Sequence, residues 1–107
     1  MKFIINGNEW EIVELSGPEM AVQIEQGLVL HGQSCYDTNK IQLNKDVPEM
    51  IKSLKHELTH VWMYEYGHNQ NNKEFDKEDV CEIVASINDF INEIVEKYKK
   101  EKENGSK

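Results

Sequence analysis

Apolar residues occur in short β-like runs through the first part of the chain and then recur at helical spacing through the rest. Phe3-Ile4-Ile5 and the Trp10 to Leu15 run flank Asn6-Gly7-Asn8, whose Asn-Gly pair suits a tight hairpin turn, so two N-terminal strands are expected. Ser16-Gly17-Pro18 breaks that pattern. Glu19 to Gln26, with Met20, Ala21 and Ile24 on one side, predicts a short helix stopped by Gly27. Leu28-Val29-Leu30 and Ile41-Gln42-Leu43 lie on either side of Asp37-Thr38-Asn39-Lys40 and predict a second hairpin.

The helical part opens at Asp46-Val47-Pro48-Glu49, which offers a capping residue, an early proline and an acid three positions after the cap. Gly67 is the expected stop. Between them Val47, Met50, Ile51, Leu54, Leu58, Val61 and Trp62 share one helical face, with Ser53, His56, His60 and Tyr64 on or near the other. His68 to Asn72 is a polar loop. Asp76 is placed to cap a second long helix whose apolar face carries Val80, Ile83, Val84, Ile87, Ile91 and Ile94. The lysine- and glutamate-rich end from Glu96 is expected to fade from helix into a frayed, solvated tail from about residue 98. These elements imply an α+β fold in a single domain spanning residues 1–107, with N-terminal hairpins, the H-E-x-x-H-bearing helix that ends at Gly67 and a second long C-terminal helix.

Composition narrows the function classes. A formal charge of −8 and a pI near 4.9 argue against binding nucleic acid or an anionic membrane through a basic surface. The first apolar run, Phe3-Ile4-Ile5, is far too short for a signal peptide or membrane span, so a cytoplasmic location is expected. Cys35 and Cys81 form no C-x-x-C pair and read as reduced thiols.

The chemistry is concentrated in His56-Glu57-Leu58-Thr59-His60, an H-E-x-x-H sequence within the first long helix. Residues four apart on a helix lie one above the other, so both imidazoles can bind one metal ion while Glu57 projects towards its open side. Zinc lowers the pKa of a bound water to about 7, and a neighbouring carboxylate can take the water's proton during attack on a carbonyl. Two surface histidines one turn apart would be the bland explanation. Glu57 favours the hydrolase, because a purely structural zinc has no use for a base beside its ligands.

A catalytic zinc has three protein ligands and an open position, so one more ligand is expected downstream. The metzincin pattern is absent, since Met63 and Tyr66 stand where it needs Gly and His. Glu78 and Glu82, one turn apart on the second helix, are the leading pair: Glu78 as ligand and Glu82 orienting it, or the reverse. His68, just past the helix stop, is the next candidate, and His31 is expected to be a strand or surface residue. Tyr64, one turn beyond His60, is placed to hydrogen-bond an oxyanion, with Tyr36 and Tyr66 as weaker choices.

Lys40-Ile41-Gln42-Leu43, Leu54 to Trp62, Tyr64-Glu65-Tyr66-Gly67 and Glu78 to Ala85 together make the span from about Gly32 to Ile94 resemble the small phage and mobile-element metallopeptidases of the ImmA/IrrE type, relatives of the minimal gluzincins. The resemblance implies a zincin-like α+β core holding one Zn2+, with His56 and His60 as ligands and Glu57 as general base. By analogy it also implies a repressor-like protein as substrate. Glu82 stands where a gluzincin often has Asp, which leaves the third ligand open. Two functions follow: a minimal zinc metalloendopeptidase acting on a peptide or protein, or a non-catalytic, zinc-stabilised regulator that binds another protein.

Overall fold

A computed structural model of the chain describes residues 1–21, 31–67 and 77–105, with side chains for 1–20, 31–67 and 81–104. The protein is α+β. Strands β1 (Lys2–Ile5), β2 (Asn8–Leu15), β3 (Gly32–Cys35) and β4 (Lys40–Asn44) form one mixed sheet in the order β1-β2-β4-β3. Helix α1 (Gly17–Ala21) follows β2, and the long helices α2 (Met50–Glu65) and α3 (Lys77–Gly105) complete the described structure.

The first hairpin forms as its turn sequence requires. Asn6 and Gly7 both take left-handed backbone conformations (φ 50° and 79°), and β1 pairs antiparallel with β2. The same turn reaches beyond the sheet: Asn6 Nδ2 donates to the Glu65 carbonyl at 3.0 Å, and Asn8 Nδ2 donates to the Glu65 carboxylate at 2.7 Å. Two hairpin residues thereby tie down the last turn of α2. The second hairpin is also present, but its first strand is Gly32–Cys35. The Leu28 to Leu30 run assigned to it, and the end of the predicted first helix at Gly27, lie outside the described residues.

Between the hairpins the chain crosses so that β2 pairs parallel with β4. Alternation along the strands sends Phe3, Ile5, Trp10, Ile12, Ile41 and Leu43 into the core, while Lys2 and Ile4 face outward. Leu54, Leu58 and Val61 from α2, and Ile87, Ile91, Ile94, Val95 and Tyr98 from α3, complete that core. Phe3 and Phe90 meet with ring centroids 6.0 Å apart, which docks α3 near β1. The two long helices thus share one core with the sheet. Val84, grouped by periodicity with the apolar face of α3, is 52% exposed, whereas Ile87, Ile91 and Ile94 are buried and Ile83 is partly buried against the core.

Helix α1 begins at Gly17 rather than Glu19, and the boundaries of the two long helices also differ from expectation. Helix α2 begins at Met50, preceded by Glu49 in a left-handed conformation (φ 63°) with no side-chain cap, so Asp46 does not start it. The Asp46 carboxylate is engaged elsewhere, accepting the Gly17 N–H at 2.7 Å, and its own N–H donates to Asn44 Oδ1 at 2.9 Å. Gly67 does stop the helix, at φ 75°, with the Gly67 and Tyr66 N–H groups donating to the Tyr64 and Trp62 carbonyls.

At the other end α3 stays helical to Gly105 rather than fraying from about residue 98. Tyr98 is the reason. Its side chain is buried, its hydroxyl donates to Glu14 Oε2 at 2.6 Å, and Lys102 Nζ approaches the same carboxylate at 3.3 Å. Among the described residues no helix is long and apolar enough to cross a membrane.

Burial raises the Glu14 pKa, but the hydrogen bonds from Tyr98 and Lys102 and the charges of Lys102 and Lys45 outweigh it, leaving the net shift downward. A depressed carboxylate pKa contributes stability above the unfolded-state value and loses it as pH falls through the folded-state value. Tyr98→Phe is therefore expected to cost about 1 kcal/mol in chemical denaturation at neutral pH, the scale of a partly exposed charged hydrogen bond, and less near pH 3. Equal destabilisation at both pH values would contradict this role for Glu14.

Candidate metal centre

The rotation of α2 sets the site. Leu54, Leu58 and Val61 are fully buried and fix which stripe of the helix faces the sheet. At about 100° per residue, Glu57 falls roughly 65° from the centre of that stripe, with His60 at roughly 125° and His56 at roughly 165°. Glu57 is accordingly buried at 7% exposure, and both histidines face outward.

The two imidazoles converge. His56 Nε2 and His60 Nε2 lie 3.1 Å apart, with ring centroids 4.8 Å apart. One ring can donate to the other when both are neutral, and the same spacing suits a shared metal. Two nitrogens each about 2.0–2.1 Å from a tetrahedral zinc are roughly 3.3 Å apart. Glu57 Oε2 stands 3.9 Å from His56 Nε2 on the inner side of this pair.

Strand β3 supplies the other wall. Ser34 Oγ donates to Glu57 Oε1 at 2.8 Å. Gly32, two residues earlier and so on the same face of the strand, lies against the Glu57 side chain: a Cβ there would come within 3.2 Å of Glu57 Cγ. Neither Gly32 nor Ser34 is marked in the sequence by a motif or by strong strand propensity. Their one signal in the sequence is an i, i+2 spacing shortly before the H-E-x-x-H helix.

His31, Gly32, Glu49, Lys52, Ser53, His56 and Glu57 line an open cleft of about 340 Å³. His31, expected as a strand or surface residue, is exposed at the mouth of this cleft, and its carbonyl accepts the Asn44 N–H. Further along, Tyr36 and Tyr64 stack with centroids 4.4 Å apart, and Trp10 meets both edge-on at 6.1 and 6.3 Å. Burial first, and then the charges of Glu57 and Tyr64, push the Tyr36 pKa upward, partly offset by a Ser34 hydrogen bond. Tyr64 is 42% exposed, and Tyr66, 45% exposed, meets Trp62 instead, with tilted rings 4.8 Å apart.

The structure thus brings together His56, Glu57 and His60. Among the described residues no group of three or more His, Cys, Asp or Glu side chains is arranged to hold a metal ion. Glu82 is exposed on α3. The Glu78 side chain and all of His68 lie outside the described residues. Cys35 and Cys81 are free thiols.

Comparison of the chain with family models, with curated proteins and with solved structures gives no match.

The approach of β3 to α2 carries its own test. Gly32→Ala is expected to cost about 1–3 kcal/mol in chemical denaturation, because the added methyl meets Glu57 Cγ, the Gln42 carbonyl at 3.4 Å and Leu43 Cδ2 at 3.5 Å. An unchanged midpoint would show that strand and helix do not pack this closely.

Proposed function

We propose that the protein is a zinc-dependent metalloendopeptidase with a zincin-like core of the minimal gluzincin, ImmA/IrrE-like kind. The observation that supports this most is the 3.1 Å approach of the His56 and His60 Nε2 atoms with the buried Glu57 carboxylate beside them. Zinc at that point would supply Lewis acidity, bringing the pKa of a bound water to about 7 and polarising the scissile carbonyl.

The residues divide the remaining work. His56 and His60 bind the ion, and Glu78 on α3 completes the set, with Glu82 as its orienting partner or its replacement. Glu57 accepts the proton of the attacking water and delivers it to the leaving amine. Its Oε2 is the oxygen for that task, since Oε1 already accepts from Ser34. Tyr64, held by its stack on Tyr36 and on the same flank of α2 as Glu57, is the proposed donor to the oxyanion.

Strand β3 gives the substrate a place to lie. Among the described residues β3 is an edge strand paired only with β4, beside Glu57, and an extended peptide can add to such an edge. The substrate is a peptide or protein, with a repressor-like protein as the class implied by resemblance, and the location is cytoplasmic.

Elemental analysis should find one zinc per wild-type chain, little in His56→Ala or His60→Ala, and loss in Glu78→Ala with retention in Glu82→Ala. The reverse pattern would make Glu82 the ligand, and retention in both would point to His68. Glu57→Gln should keep its zinc and lose cleavage of a peptide library by at least roughly a hundredfold, the lower end of general-base contributions. Cleavage at the wild-type rate would overturn the mechanism. Zinc-dependent partner binding by wild type and Glu57→Gln alike, with cleavage by neither, would instead make the protein a zinc-stabilised binding regulator.

A further inference from the structure

We propose that Gly32 and Ser34 of β3 hold the Glu57 carboxylate just outside coordination reach of the His56–His60 pair, so that it remains a base and does not become a ligand. This positioning role rests on the zinc reading above and adds to it a reason for the local shape of β3.

The problem it answers is chemical. A glutamate carboxylate is itself a good zinc ligand, so nothing in the identity of Glu57 keeps it off an ion held by its helical neighbours. Position must do so. Glu57 Oε2 lies 3.9 Å from His56 Nε2, roughly half an ångström beyond the spacing of two ligands on one tetrahedral zinc. A small rotation of the side chain would close that gap.

Two contacts oppose the rotation, and both come from one face of β3. Ser34 Oγ holds Oε1 at 2.8 Å and thereby fixes the plane of the carboxylate. Gly32 leaves the Glu57 stem a place beside the strand that any side chain would crowd, since an added Cβ would stand 3.2 Å from Cγ. Successive inward positions of a strand are two residues apart, which is the spacing of Gly32 and Ser34. Tyr36 continues the series past the end of the strand.

Cobalt(II) titration of the metal-free full chain, followed by visible absorption, separates this from a merely structural role. In Ser34→Ala the released carboxylate is expected to join the metal, changing the absorption envelope and tightening cobalt binding by roughly tenfold, the scale on which outer contacts tune metal sites. Ser34→Thr, which keeps the hydroxyl, should behave as wild type. Adding Glu57→Gln to Ser34→Ala should restore the wild-type spectrum and affinity, a reversal that general loosening of β3 would not give. A Ser34→Ala spectrum and affinity equal to wild type, or changes that persist in the double variant, would overturn the positioning role while leaving the zinc reading intact. Absence of cobalt binding by wild type would overturn both.

Discussion

Burial of Leu54, Leu58 and Val61 decides how α2 is turned about its axis, and every feature of the candidate site follows from that rotation. Each of these side chains is fully buried, worth roughly 2 kcal/mol apiece in apolar surface removed from water. With that stripe against the sheet, Glu57 comes to the flank under β3 and the two histidines to the open side. Turning the helix by one residue would expose an apolar row and bury an imidazole.

The sheet answers this geometry with a strand whose residues are chosen for proximity rather than for strand propensity. Gly32 allows close approach and Ser34 gives the carboxylate of Glu57 a hydrogen-bond donor, which a polar group at 7% exposure requires. The hairpin at the far end of α2 plays a comparable part, with Asn6 and Asn8 holding Glu65. Strand and hairpin thus hold the helix near its middle and at its end, which keeps the His56–Glu57–His60 turn in one register relative to its surroundings.

Local chemistry made some of this readable in the sequence. The Asn6-Gly7 turn, the Gly67 stop and the burial of Leu54, Leu58 and Val61 depend on neighbours within a few residues and appear as expected, and helical spacing likewise sets His56 beside His60. Other features depend on long-range partners. Asp46 looks like a helix cap but is taken by the Gly17 N–H, and the charged end of α3 looks like a tail but is anchored by Tyr98 reaching Glu14. Strand β3 lies later in the chain than the Leu28 to Leu30 run suggests, because Gly32-Gln33-Ser34-Cys35 contains no β-branched or aromatic residue to mark it. The choice among Glu78, Glu82 and His68 turns on side chains brought across from another part of the chain, a relation that spacing alone does not specify.

Zinc K-edge X-ray absorption on the zinc-loaded chain tests the central claim most directly, because it counts the donors around the ion. Two imidazole nitrogens with oxygen donors, all at about 2.0–2.1 Å, are the predicted shell, with one imidazole lost in His60→Ala. A sulfur shell at about 2.3 Å, or fewer than two imidazoles in wild type, would contradict it.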